Sequence, residues 1–296
     1  MNVRPSLNQL GLSAGKKTRL YRILHQYGPR NGTAIFLPYD HGLEHGPSDF
    51  AGHPASGDPR HVIKLALEGG FNGIAIQVGL ARKFYWEYAG EVPLVLKLNG
   101  KTDIPAPPDP LSPVNATVEE AVRLGADAVG YTLYVGSPAQ ERDFAQYLRV
   151  REDAERFGMP LIVWSYPRGA AIDAKGGRDS FYAVDYAART ASELGADLVK
   201  VNFPQPDKQS GVPDAYRREF SSQEAIAAVV ESASRTLLLV SGGEHAGDEV
   251  MLEKARQSME AGATGLIFGR NVFQRSHYES LRLIAQLKEI LAKYPS

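Results

Sequence analysis

The 296-residue chain contains no cysteine, which removes disulfides, thiolate metal sites and cysteine nucleophiles together. It also has almost no net charge: 33 Lys and Arg stand against 34 Asp and Glu, a formal −1. That balance gives no reason to expect nucleic acid or an anionic membrane surface as a partner. No uncharged apolar run approaches the length that spans a bilayer, and the leading MNVRPSLNQLGLSAGKK lacks the apolar centre of a signal peptide. The expectation is therefore a cytoplasmic protein. Apolar residues at 43% and charged residues at 23% are ordinary for a globular chain. The length allows one large domain or two small ones.

What is present is a repeated unit. Short apolar runs recur as TAIFLPYD (33–40), NGIAIQVG (72–79), PLVLKLNG (93–100), DAVGYTLY (127–134), PLIVWSYP (160–167), DLVKVNFP (197–204), TLLLVSGG (236–243) and TGLIFGRN (264–271). Several share a lead-in of helix end, glycine and strand: EGGFNGI, RLGADAV, ELGADLV and EAGATGL. Glycine there suits a helix C-cap leading into a tight turn. Between the runs, apolar residues fall three or four apart, as in Ala187, Ala191 and Leu194. Near-continuous apolar strands alternating with helices predict a parallel sheet buried on both faces. Eight units in about 260 residues match a (β/α)8 barrel. A doubly wound open sheet is the rival, but DHGLEHGP after the first strand is not a GxGxxG fingerprint. The reading is one barrel domain over 1–296, with 1–32 as a helical extension. Leu20, Ile23, Leu24 and Tyr27 mark an amphipathic helix there that packs against the barrel.

Segments entering strands are short, whereas those leaving several strands are long: 42–60, 101–115, 168–178 and 205–222. Active sites of such barrels lie on the loops after the strands. On the sixth strand, Lys200 sits in the run LVKVNF. Leu198, Lys200 and Asn202 share one face, and the apolar Val199, Val201 and Phe203 share the other, which turns Lys200 inward. Burial can lower a lysine from about 10.4 to about 7, at a cost of roughly 4 to 5 kcal/mol, and leave an amine able to attack a carbonyl. The competing reading pairs Lys200 with a barrel carboxylate such as Asp40, and position alone does not separate the two. Lys97, in LVLKLNG, is a rival nucleophile in the same kind of setting.

Other candidates end other strands. Gly242 and Gly243 in SGGEH and Arg270 in GRN form an expected anion cup after strands seven and eight, where this fold commonly binds phosphate. WSYPRG closes the fifth strand; Trp164 and Tyr166 share a face, so Tyr166 points inward beside Lys200, and Arg168 adds positive charge for an anionic substrate. His41, Glu44 and His45 spell H-x-x-E-H, a zinc-peptidase spacing. That motif needs a helix, and Gly42 and Gly46 suggest a loop, so the sequence argues against metal here. Asp40 is the better working residue, as partner of Lys200 or of a substrate hydroxyl.

In this order, YDHGLEHGP, VWSYPRG, GADLVKVNFP, LLVSGGE and GLIFGRNVF resemble the archaeal-type class I fructose-bisphosphate aldolases, from about residue 17 to 290. The wider family also holds an aminodideoxyheptulosonate synthase and a quorum-signal-processing enzyme. The resemblance implies a TIM barrel without metal or cofactor, a Schiff base on Lys200, proton transfer by Tyr166 and substrate contact by Asp40. It also implies that His41, Trp164, Arg168, Asn202, Ser241, Gly242, Gly243, Gly269 and Arg270 surround a phosphorylated sugar. Fructose 1,6-bisphosphate is the expected substrate, with another phosphosugar as the alternative. Lys175, Arg178 and Arg217 are open candidates for a second phosphate. A homo-oligomer follows from the same resemblance, and the family suggests a decameric ring.

Overall fold

The computed structural model describes residues 4–104, 110–206, 211–243 and 247–296. Eight parallel strands close into a barrel in chain order: β1 (Ala34–Tyr39), β2 (Gly73–Gln77), β3 (Leu94–Lys97), β4 (Ala128–Val135), β5 (Leu161–Pro167), β6 (Leu198–Val201), β7 (Leu237–Ser241) and β8 (Gly265–Ile267). Seven lie within their apolar runs and β4 passes the end of its run by one residue, Val135; β8 pairs back onto β1 through Ala34 and Gly265. Before β1 runs α1 (Ala14–Tyr21); α2 (His41–Glu44) and α3 (Pro59–Gly69) follow β1, and α4 (Val78–Phe84) follows β2. Then come α5 (Val118–Arg123), α6 (Gln140–Arg156), α7 (Ala170–Asp173) and α8 (Phe181–Glu193). The last are α9 (Ser222–Ser232), α10 (Asp248–Glu260), α11 (Arg270–Phe273) and α12 (His277–Ala292). None of the described helices is long and apolar enough to cross a membrane.

Local sequence explains the joints. Thr117 with Glu120, Ser221 with Glu224 and Ser276 with Glu279 form capping boxes that start α5, α9 and α12. The lead-in glycines Gly70, Gly125, Gly195 and Gly262 all have positive φ, between 62° and 96°, where a side chain would strain the helix exit. Two residues later the chain joins the neighbouring strand: the amides of Asn72, Asp127, Asp197 and Thr264 donate to Ile35, Leu94, Leu161 and Leu238 at 2.8–3.1 Å.

Strand alternation divides the apolar residues into two cores. Ile35, Leu37, Ile74, Leu96, Val199 and Val201 pack outward against the helices. Phe36, Val95, Ile162, Trp164, Leu198 and Leu239 fill the barrel. The N-terminal segment joins the inner core rather than the outer one. After α1 the chain widens into a π-helical turn, Arg22–Gln26, and Leu20, Ile23 and Leu24 close the end of the barrel away from the long loops. Lys16 of α1 fastens this plug to Asp197 at 3.0 Å and Glu155 at 2.8 Å. Tyr27, expected on the same apolar face, is only half-buried; its hydroxyl donates to the Gly90 carbonyl at 2.6 Å.

One position in the barrel wall makes room for side chains that matter below. A Cβ on Gly130 of β4 would stand 2.7 Å from the Trp164 ring and 2.9 Å from the Lys97 stem. Gly130→Ala therefore overpacks the barrel and should lose about 1–3 kcal/mol in urea unfolding. An unchanged midpoint would mean that the inner wall yields freely at that point.

Candidate active site

The long segments after the strands surround a cavity of about 1060 Å³ at the C-terminal end of the barrel. Its lining includes the twelve residues that the resemblance gathers around the substrate: Asp40, His41, Trp164, Tyr166, Arg168, Lys200, Asn202, Ser241, Gly242, Gly243, Gly269 and Arg270; Lys97, Lys175 and Arg217 are not among the lining residues. Trp164 pairs with Lys200 across β5 and β6, so Tyr166, two residues on, shares the inward face above it. Lys200 is buried, and its Nζ donates a hydrogen bond to the Tyr166 hydroxyl oxygen while lying 4.1 Å from the ring centre.

The two readings of Lys200 separate here. Asp40 does not form an ion pair with Lys200; its Oδ2 lies 3.4 Å from Nζ of Lys97. Lys97 is wholly buried, donates to the Thr132 hydroxyl at 2.7 Å and stands 4.1 Å over the Trp164 ring. The rival nucleophile is thus held on three sides, and Lys200 is left beside a phenol. Burial lowers the Lys200 ammonium to about 7, against the pull of Asp40 and with the help of Lys97. Burial alone would raise the Asp40 carboxyl, but Lys97, His41 and Lys200 together hold it below its ordinary value. Burial, then Glu44 and Asp40, push the Tyr166 phenol well above 10, so it keeps its proton at neutral pH.

The other candidates fall into two groups. Ser241 donates to Oδ1 of Asn202 at 2.9 Å, and Asn202 donates from Nδ2 to Asp179 at 2.6 Å. This chain of bonds ties the ends of β6 and β7 to the loop before α8. Arg168 lies 5.0 Å over the Tyr166 ring and donates to its neighbour's carbonyl, Pro167, at 2.8 Å. On the β7–β8 side, Gly243 has φ +74°, and Gly269 carries no Cβ where one would meet the Pro38 carbonyl at 3.0 Å. Arg270 opens α11 with a third of its side chain exposed, 3.8 Å from Asp49. Glu244 and His245 of the SGGEH run lie outside the described residues.

Segment 41–45 differs from expectation. It is one helical turn, α2, rather than a loop, with Asp40 at its N-cap. His41 and His45 do come together, at 5.8 Å between ring centres, yet among the described residues no three His, Cys, Asp or Glu converge as metal ligands. His41 packs edge-on against Phe273 at 5.1 Å, and burial lowers it to about 4, which keeps it neutral. Sequence reasoning missed two residues here. Lys97 was weighed as a nucleophile rather than as the partner of Asp40, and Glu44 was noted only within the zinc spacing. The signal available for Glu44 was its position four residues after Asp40, which a helical turn brings to the same side.

A model of the DeoC/LacD family aldolases matches residues 34–275. The chain belongs to that family. It is 41% identical to the class 1 fructose-bisphosphate aldolase of Thermoproteus tenax over 88% of this chain and 90% of that one. Against the class 1 enzyme of Halobacterium salinarum it is 39% identical, over 84% and 87%. Among solved structures it resembles an archaeal fructose-1,6-bisphosphate aldolase whose catalytic lysine is covalently bound to the carbinolamine intermediate. The TM-score is 0.79 and the identity 38%, over 92% of this chain and 99% of that one. The fructose-bisphosphate aldolase of Slackia heliotrinireducens superposes at TM-score 0.82 with 28% identity, covering 98% and 92%. Like its family, the protein is a lyase.

The electrostatics of this aldolase site give a pH signature. Lys200 is a nucleophile only when neutral, so its acylation by acetic anhydride should rise with pH and level off above about 7. An ordinary lysine goes on rising towards about 10.4. Lys97→Met removes a repelling charge and releases Asp40 to Lys200, so the midpoint should move upward. Peptide mass spectrometry reads both; a midpoint near 10 in the wild type would contradict the buried, neutral amine.

Proposed function

We infer that the protein is a class I, Schiff-base fructose-bisphosphate aldolase, which reversibly cleaves fructose 1,6-bisphosphate to dihydroxyacetone phosphate and glyceraldehyde 3-phosphate. The observation that carries this is a buried lysine, lowered to about 7 and hydrogen-bonded to a phenol, at the mouth of the barrel. The relatives at 38–41% identity all bear that activity in their names, which favours this substrate over another phosphosugar.

In the proposed reaction Lys200 Nζ adds to the C2 ketone, and loss of water leaves an iminium. The iminium draws electrons from the C3–C4 bond as the C4 hydroxyl loses its proton, and glyceraldehyde 3-phosphate departs. The enamine takes a proton at C3, and hydrolysis frees dihydroxyacetone phosphate and Lys200. Tyr166 touches the Lys200 nitrogen and is the group to pass protons to and from the carbinolamine oxygen. Asp40, fixed by Lys97, faces a substrate hydroxyl, and His41 and Trp164 shape the wall beside it. Asn202 and Ser241, already bonded to each other, position the floor of the site.

The phosphate nearest the carbonyl rests on the backbone of Gly242, Gly243 and Gly269 and on the Arg270 guanidinium. For the second phosphate, Arg178 is the choice among the three candidates, because it lines the cavity. Lys175 donates to the Gly211 carbonyl at 3.1 Å and Arg217 pairs with Asp214 at 2.6 Å, both away from the lining. We take the chain as one barrel domain with its N-terminal segment as the plug. A cytoplasmic homo-oligomer rests on the family resemblance.

Dihydroxyacetone phosphate and borohydride should leave one reduced adduct, mapped to Lys200, and none on Lys200→Met. An adduct on Lys97, or no adduct, would defeat the assignment. Arg270→Ala should raise KM for fructose 1,6-bisphosphate about 10- to 150-fold, the worth of a charge-assisted hydrogen bond of roughly 1.5–3 kcal/mol. Steady-state kinetics with unphosphorylated fructose is the control. Equal losses on both sugars would give Arg270 a role in the fold instead.

A further inference from the structure

Of Gly242, Gly243, Gly269 and Arg270, only Arg270 brings a charge to the phosphate cup. An arginine has several rotatable bonds, and holding it in one geometry for a ligand costs side-chain entropy. A third of the Arg270 side chain is exposed, so packing alone does not fix its guanidinium. What faces it from behind is Asp49. The Asp49 Oδ1 lies 3.8 Å from Nη1 of Arg270, and among the described residues no other carboxylate pairs with that guanidinium. Arg270 lines the cavity and Asp49 does not, so the carboxylate stands behind the guanidinium rather than in the path of the substrate.

Asp49 is itself well anchored. The loop after β1 makes a 3-10 turn, Pro47–Phe50, whose Phe50 ring packs against Tyr39 at 5.6 Å and Phe273 at 6.1 Å. Gln274 donates from Nε2 to the Asp49 carbonyl at 2.5 Å. Phe273 closes α11, which Arg270 opens, and Gln274 follows it. The carboxylate and the guanidinium are therefore fastened to the same turn. Only 12% of the Asp49 side chain is exposed, and its Oδ2 is buried without a hydrogen-bond partner. A buried carboxylate oxygen left unbonded is costly. The Arg270 fork of five N–H donors can close on it with one edge and keep a second edge for a phosphate. A carboxylate near an anion site also repels the anion. Here the guanidinium lies between the two, so the phosphate meets the arginine first and orientation outweighs repulsion.

We propose that Asp49 is a positioning residue for phosphate recognition: it holds the Arg270 guanidinium with one edge turned into the cup. It thereby sets how tightly the phosphate beside the carbonyl is bound. The proposal rests on the phosphate cup inferred above and makes the loop after β1 part of substrate selection. Asp49 neither touches the substrate nor moves a proton, so its signature lies in binding rather than in turnover.

The test is Asp49→Asn, which keeps the size of the side chain and removes its charge. KM for fructose 1,6-bisphosphate should rise about 5- to 50-fold, as for a coupled charged pair, with kcat within about threefold. In an Arg270→Ala background the same substitution should change KM by less than about twofold, because the group it positions is gone. Borohydride trapping of unphosphorylated dihydroxyacetone on Lys200 should match the wild type, which also shows that the variant is folded. An unchanged KM in Asp49→Asn would overturn the proposal. So would an equal rise in the Arg270→Ala background, a fall in kcat without a rise in KM, or weaker trapping of dihydroxyacetone. Were Arg270→Ala alone to leave KM unchanged, the phosphate cup itself would fall, and the proposal with it.

Discussion

The ion pair between Lys97 and Asp40 governs how the interior of this barrel works. Two lysines point inward near the same end, and Asp40 acts on both. A buried ammonium is costly without a counter-charge. Lys97 receives that charge together with the Thr132 hydroxyl and the face of Trp164. Among the described residues Lys200 is hydrogen-bonded to the Tyr166 hydroxyl alone, and desolvation then favours its neutral form. Were the pairing reversed, Lys200 would be a satisfied cation and Lys97 the amine, yet Lys97 lies wholly buried against Thr132 and Trp164, whereas Lys200 and Tyr166 line the cavity.

The supporting wall follows from that pair. Gly130 leaves space for the Lys97 stem and the Trp164 ring in one layer of the barrel. Trp164 lies opposite Lys200 in the sheet and carries Tyr166 two residues further on. A single stretch of β5 therefore both screens one lysine and presents a phenol to the other. The chain Asp179–Asn202–Ser241 braces the neighbouring strand ends, and the plug of Leu20, Ile23 and Leu24 keeps the far end of the barrel apolar.

Charge is graded across the cavity. Asp40 is held ionised, Glu44 is raised to about 7, and Tyr166 is kept protonated. Three acids within one pocket are thereby held in different protonation states, because each has a different balance of burial and neighbouring charge. Lys101, Arg168 and Arg178 line the same space, which suits a substrate bearing negative charge at both ends.

Much of this was legible in the sequence. Seven of the eight strands fall inside an apolar run read from residue pattern, and β4 passes its run by one residue, since a strand buried on both faces must be apolar; glycines of positive φ lead into four of them. Alternation along LVKVNF and VWSYP placed Lys200 and Tyr166 inward, because successive side chains on a strand take opposite sides. What the sequence left open was partnership. Whether Asp40 pairs with Lys200 or Lys97 depends on distances between β1, β3 and β6, which are far apart in the chain and set only by closure of the barrel. The helical turn at 41–44 was likewise hidden by Gly42 within it and Gly46 just after it, and with it the placing of Glu44 beside Asp40. Local pattern determined the strands and the direction each side chain faces; the tertiary structure decided which charges meet, because pairing is a matter of separation in space.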